Sequence, residues 1–280
     1  MIHIITDSTS DMTHEEAAEL KIAKAPLTVH FGDTAYSDGV DITPDAFYKL
    51  LSEGKDLPTT SQAPPAAFEE LLKPILAKGD EAVIVTIASA LSATYQSAVI
   101  ATQNAAPDKV HIVDSRTASG GLALLLRHAA RMRDSAQYTA GQIADELREL
   151  GPRVVIYGAV DTLKYLWKGG RVSRGKAVMG NLLNVTPVVM VRDGAISVAD
   201  KARGEKGSLK TMLRLFENSK PDLEYGVAFM HGDVPERMER YIEAFQPVLD
   251  GTAVYRARLG SVIGTHTGPG IVAMAFINRE

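Results

Sequence analysis

A chain of 280 residues with 45% hydrophobic and 23% charged content is long enough to bury a large core and to fold as two domains. A formal net charge of −4, without any block of clustered Lys or Arg, argues against nonspecific nucleic-acid binding. The lack of cysteine excludes disulfides, thiolate zinc sites and cysteine nucleophiles, and no apolar run approaches the roughly 18 residues of a membrane span.

The N-terminus enters directly into strand sequence, with neither the basic nor the apolar segment of a secretory signal, so the expected location is cytoplasmic. Three short β-branched runs, each followed by a hydroxyl-rich loop, read as buried parallel strands alternating with helices. They are residues 2–5 before 6–10, 82–87 before 88–94, and 110–113 before 114–121. Ligands in open α/β sheets sit beyond the carboxyl ends of the strands, so these loops are expected to converge on one crevice. Helices are expected over 65–77, with Pro65 in the first turn and Pro74 a candidate kink, and over 94–105 and 120–133. Thr139 and Gln142 form a capping box for a fourth helix ending near Leu150.

Gly151-Pro152 breaks this rhythm, which places a domain boundary there: a parallel α/β domain over 1–151 and a mixed or antiparallel sheet with helices over 152–280, the ligand lying between them. The second part reads as strand 153–159, then helix 161–168 stopped by Gly169-Gly170. A hairpin of 185–191 with 196–199 turns at Asp193-Gly194. Helices over 208–218 and 235–245 and strands over 225–231, 252–257 and 271–277 complete it.

Near the C-terminus, Gly264-Thr265-His266-Thr267-Gly268-Pro269-Gly270 sets a histidine among residues that free the backbone and offer polar tips. It reads as a loop that holds a ligand or as a tight turn with a solvated histidine. Ser92 and Thr94 stand where a helix begins, so their hydroxyls and the helix dipole favour an anion. Thr60 and Ser61, just ahead of the next helix start, offer a second such set, although each of these residues can equally cap or lead into its own helix. Asp7 and Asp114 read as helix caps rather than magnesium ligands, and the isolated histidines give no metal site. No phosphate-loop, dinucleotide, zinc-protease or nucleophile-elbow motif occurs, and no cofactor is expected.

Six stretches, in this order, resemble the motifs of the DegV family. They are Thr6-Asp7-Ser8-Thr9, Thr60-Ser61-Gln62, Leu91-Ser92-Ala93-Thr94-Tyr95-Gln96-Ser97-Ala98, Asp114-Ser115, Asp161-Thr162-Leu163-Lys164-Tyr165-Leu166-Trp167-Lys168-Gly169-Gly170-Arg171, and the 264–270 heptad. The resemblance implies a non-catalytic, two-domain α/β protein that binds a long-chain fatty acid in a tunnel between its domains. It further implies that, in bacteria with a fatty acid kinase, the bound carboxylate is presented to that kinase and phosphorylated to an acyl phosphate for phospholipid metabolism. Carried onto this chain, it makes Thr60, Ser92 and His266 the carboxylate's partners, with the Ala93 amide close by and Ser61, Thr94 and Thr265 in support. Arg171 then serves either as a docking residue for the kinase or as a support for the head group.

One departure is Ala93, where the family usually has glycine. An alanine is strained there if the backbone φ is positive and untroubled in helical geometry. Two other classes stay open on the residues alone. A hydrolase would use Ser92 as nucleophile and His266 as base, with Asp7 or Asp114 orienting the imidazole. A small-phosphate binder would need more cations near the loops than Arg116. The acyl-chain tunnel has no sequence signature, because residues that line a cavity have the composition of residues that fill a core.

Overall fold

The computed structural model describes residues 1–54, 56–103, 108–172, 185–249 and 251–279. The chain opens with β1 (Ile2–Asp7), α1 (His14–Glu19), β2 (Ile22–Ala25), β3 (Thr28–Phe31), β4 (Thr34–Ser37), α2 (Pro44–Glu53) and β5 (Thr59–Ser61). It continues through α3 (Pro65–Ala77), β6 (Glu81–Thr86), α4 (Thr94–Ala101), β7 (Val110–Asp114), α5 (Ser119–Ser135) and α6 (Ala140–Leu150). The three β-branched runs do pair side by side, in a parallel sheet of order β2-β1-β6-β7. Ile4, Ile5, Val83, Ile84 and Val85 are buried, as a strand covered on both faces requires.

The βαβ rhythm is interrupted where no strand was expected. Residues 28–61 contribute a small antiparallel sheet, β4-β3-β5. Its strands are three or four residues long and polar in places (Thr-Thr-Ser in β5), so period-2 patterning carries little signal. Pro74 lies inside α3 without ending it. The capping box is formed: Gln142 N–H donates to Thr139 Oγ1 at 3.2 Å, and Thr139 N–H to Gln142 Oε1 at 2.9 Å. The helix expected to reach residue 105 ends at Ala101, and residues 104–105 lie outside the described residues.

The second domain follows as β8 (Val154–Ala159), α7 (Lys164–Lys168), β9 (Thr186–Arg192), β10 (Ala195–Ala202), α8 (Gly204–Asn218), β11 (Val227–His231), α9 (Pro235–Phe245), β12 (Val254–Arg258), α10 (Ser261–Thr267) and β13 (Val272–Ile277). Its sheet is mixed, in order β10-β9-β8-β13-β11-β12, with only β11 and β12 parallel. One face buries Val155, Tyr157, Phe229, Met274 and Phe276 with Met212 and Phe216 of α8 and Tyr241 and Phe245 of α9. Each such side chain contributes on the order of 1.5–3 kcal/mol of burial free energy.

The opposite face looks toward the first domain. Helix α5 packs between the two sheets, against β1 and β6 on one side and β11 and β13 on the other. That double contact explains its composition: Leu122, Leu124, Leu125 and Leu126 are all buried, which is what a helix enclosed on most of its circumference needs.

The 264–270 stretch corrects its reading as a loop. Residues 261–267 are the helix α10, and only Gly268-Pro269-Gly270 turns, with φ of 73° at Gly268 and 84° at Gly270. Helix α10 belongs to the second domain by sequence but packs on α2, β3 and β5 of the first as well as on α7.

Candidate functional site

A cavity of about 250 Å³ lies between the two sheets, under α10. Its inner wall is apolar, including Leu27, Ile87, Ile156, Val189, Met230 and Ile271, and Thr60, Ser92, Arg171 and His266 lie on its lining too. Thr60, Arg171 and His266 also border a second, polar vestibule of about 530 Å³, where they meet Lys164, Lys168 and Thr265. A mostly apolar chamber and a polar vestibule, lined by Lys164, Lys168 and Arg171 together with Asp56, therefore share one polar neck.

Separate elements bring the neck together. Thr60, on β5, lies 2.8 Å through Oγ1 from His266 Nε2 near the end of α10. Ser61, the next strand residue, bonds His30 Nε2 at 2.8 Å. Ser92 Oγ lies 2.9 Å from Thr94 Oγ1, and Thr94 Oγ1 also accepts from Ala63 N–H at 3.3 Å, tying the start of α4 to the stretch that leads into α3. Thr265 is turned inward, donating to Ser261 O within α10 at 2.8 Å. Ala93 has φ −74° and ψ 7°, so the alanine at the family's glycine position carries no left-handed strain.

Arg171 follows the α7 C-terminus, which ends at Gly169-Gly170 as expected, with Gly170 left-handed at φ 71°. Its guanidinium donates to Leu91 O at 3.2 Å and to Gly169 O at 2.7 Å, pinning the loop that carries Ser92 to the second domain. Gly169 is required by contact rather than by conformation: a β-carbon there would lie 2.2 Å from His266 Nδ1. Burial, with the positive charge of Arg171 adding to it, holds the His266 imidazole down to about 4, so it is neutral at pH 7. Its Nδ1 is buried with no hydrogen-bond partner among the described residues.

The α10 helix that carries His266 is anchored by two aspartates of the first domain. Gly260 N–H donates to Asp11 Oδ1 at 2.9 Å, and Ser261 donates to Asp38 Oδ1 through N–H at 3.0 Å and Oγ at 2.5 Å. Asp11 also accepts from Ser119 Oγ at 2.5 Å, on the cavity wall. Burial pushes the Asp11 carboxyl up to about 8 and raises Asp38 as well. Sequence reasoning missed both residues, and nothing local marks them, because Ser119, Gly260 and Ser261 lie more than 100 positions away.

Several expectations are corrected. Of the three hydroxyl-rich loops, 88–94 and 114–121 contribute to the cavity lining, whereas 6–10 stands behind it, with Asp7 accepting from Ile87 N–H at 2.8 Å and Leu27 N–H donating to Ser8 Oγ at 3.1 Å. Asp7 caps a short 3₁₀ turn, as read, but Asp114 does not cap α5; it accepts from the backbone of Ser89 and Arg116. Among the described residues, neither aspartate hydrogen-bonds His266 and Ser92 bonds Thr94 rather than the imidazole, so the arrangement of Ser92, His266 and an orienting aspartate is not assembled. Arg116 is paired with Asp193 at 2.6 Å; among the described residues, the cations beside the neck are Lys164, Lys168 and Arg171 instead.

A family model described as an uncharacterised protein family, DegV, matches residues 1–279. The chain belongs to the DegV family. Among DegV relatives, it is 36% identical to a DegV domain-containing protein of Caldanaerobacter subterraneus subsp. tengcongensis over 98% of both chains, and 33% identical to one of Deinococcus radiodurans, again over 98% of both. Among solved DegV structures, it superposes on a fatty-acid-binding protein of Thermus thermophilus with a TM-score of 0.89 at 29% identity over 99% of each chain. DegV of Bacillus subtilis, named as a fatty acid binding protein, gives 0.86 at 27% identity over 99% of each chain. The two-domain α/β architecture is thus that of DegV proteins. Among the described residues, no helix is long and apolar enough to cross a membrane.

Proposed function

We propose that this protein binds one long-chain fatty acid between domains 1–151 and 152–280, with the carboxylate at Thr60, Ser92 and His266 and the tail in the apolar cavity. The observation that carries this is the cavity itself: mostly apolar, and bordered by hydroxyls and a neutral imidazole at the neck. Fatty-acid binding by the Thermus thermophilus and Bacillus subtilis relatives supports it. Burying about fourteen methylenes yields on the order of 11 kcal/mol gross, against association costs of about 4–15 kcal/mol, so the tail supplies most of the affinity. Hydrogen bonds to the carboxylate contribute about 1.5–3 kcal/mol each and fix its orientation.

The finer reading is that the protein is a non-catalytic carrier in the bacterial cytoplasm that presents its ligand to a fatty acid kinase. The vestibule supports this, because Lys164 and Lys168 stand where negative charge would accumulate if the carboxylate became an acyl phosphate. We read Arg171 at the head-group end, because its Nε and Nη1 donate to Leu91 O and Gly169 O and so tether the loop that carries Ser92.

Mass spectrometry of the organic extract of the purified protein tests the core reading. A near-stoichiometric fatty acid, with a lower melting temperature after delipidation, is the expected outcome. Extracts without any acyl chain, together with no thermal shift on adding palmitate or oleate, would overturn it.

A further inference from the structure

The inner face of the six-stranded sheet carries a groove. Val189, Gly158, Ala273 and Met230 stand directly opposite one another on β9, β8, β13 and β11, and all four line the cavity. Side chains alternate between faces, so this row points at the ligand space, and its two central members have no side chain or a single methyl. The adjacent row on the same face is Val191, Ile156, Ala275 and Ala228. Only Val191 and Ile156 of that row line the cavity.

Packing of α5 explains the asymmetry. Gly120 lies so close to the sheet that a β-carbon would sit 2.0 Å from Met230 Sδ and 3.0 Å from the β-carbon of Ala228. The β11 side of the second row is therefore roofed by α5, and on this face the cavity lining continues over Ile156, Val191 and Ile196 of β8, β9 and β10. Beyond Val191 and Ile196, the β9–β10 turn is pinned to the first domain by Gly194 N–H donating to Arg116 O at 2.7 Å and by the Arg116–Asp193 ion pair.

The direction of the tail follows from β8. Its C-terminal end leads into α7 and Arg171, at the neck, so a chain entering there meets Gly158 before Ile156. Resting on the fatty-acid reading above, we propose that Gly158 is the bed that keeps the passage open and Ile156 is the stop that turns or ends the acyl chain, so that these two residues set which chain lengths are bound. At Gly158 a β-carbon would lie 3.2 Å from Ile271 Cδ1, 3.4 Å from the Ala273 β-carbon and 3.5 Å from Val189 Cγ2. A methyl there needs only the far end of Ile271 to give way, whereas a branched side chain would fill the groove.

The test titrates delipidated wild type, Gly158→Ala, Gly158→Val and Ile156→Ala with saturated fatty acids of 12 to 20 carbons. Gly158→Ala is expected to weaken hexadecanoic acid about threefold and Gly158→Val more than tenfold. Ile156→Ala is expected to move the best-bound acid to a longer chain, by a factor of about fourfold for each methylene newly accommodated, the equivalent of ~0.8 kcal/mol. Thermal melts of the unliganded variants confirm folding, and Gly158→Ala keeps the test open if Gly158→Val fails to fold. An unchanged length profile in folded Ile156→Ala, or unchanged affinity in folded Gly158→Ala and Gly158→Val, overturns the proposal while leaving fatty-acid binding intact. Wild type that binds no acid of any length overturns the underlying reading instead.

Discussion

Thr60 and His266, 206 positions apart in the chain, meet at 2.8 Å and join the small antiparallel sheet of the first domain to a helix of the second. Because the imidazole is neutral, one of the two groups donates and the other accepts, so in the proposed binding mode this pair keeps one unshared proton for the carboxylate.

This pairing separates a binder from a hydrolase. Ser92→Ala or His266→Ala is expected to remove one head-group hydrogen bond, about 1.5–3 kcal/mol or roughly a tenfold to hundredfold loss of affinity, while the tail holds the ligand. Titration with a fluorescent fatty acid measures the loss, and p-nitrophenyl ester assays run in parallel. Ester turnover in wild type that vanishes in both variants, with affinity unaltered, would contradict the binding role.

Arg171→Ala should act on the ligand through the Leu91–Ser92 loop that it tethers. The expected effect is about a tenfold weakening, ~1.4 kcal/mol, with Arg171→Lys intermediate because one ammonium cannot span both carbonyls in the same geometry. Affinity within about threefold of wild type in Arg171→Ala, joined to a loss of phosphorylation by a matched fatty acid kinase, would instead place the residue on a docking surface.

His266 should titrate far below an ordinary histidine. In the delipidated protein its ring signals in NMR are expected to stay neutral from pH 8 to 5 with a midpoint near 4, set by burial and by the charge of Arg171. Fatty acid should raise that midpoint, since a carboxylate nearby favours the imidazolium. A midpoint near 6.5 in the delipidated protein would mean that the neck is open to water.

Asp11 gives a pH effect of opposite sense to that of ordinary salt-bridged acids. Its folded value of about 8 exceeds the unfolded 3.8, so between those limits the folded protein holds a proton that the unfolded chain has released. Its contribution is complete below pH 3.8 and is lost as pH rises toward 8. Asp7, raised to about 6 by burial, acts in the same direction. Thermal melts should show Asp11→Asn flattening this decline between pH 5 and 8, with about 2–4 °C for each kcal/mol recovered. An identical pH profile in wild type and Asp11→Asn would show that Asp11 is not the group responsible.

Much of the architecture was legible because its causes are local. The β-branched runs around Ile4 and Ile84, the Thr139 capping box, the Gly169-Gly170 stop and the Asp193-Gly194 turn each carry their structural reason within a few residues. The 28–61 sheet and α10 were misread for the converse reason. Strands of three or four residues have too few positions for a period to show, and α10 keeps Gly264 within it because a β-carbon there would lie 2.6 Å from Phe47 Cε1.

The sequence by itself determined the fold class and, through its motif order, the family, and it singled out Thr60, Ser92, Arg171 and His266, which the cavity lining brings together. Only the tertiary structure decided that His266 is neutral, that Asp11 and Asp38 anchor its helix, that Lys164 and Lys168 rather than Arg116 stand beside the neck, and that Gly158 opens a groove toward Ile156. The division has a physical basis. Propensity, capping and turn chemistry act over a few residues and leave a trace in the order of the chain, whereas burial, register across a sheet and the shape of a cavity depend on residues that are neighbours only after folding.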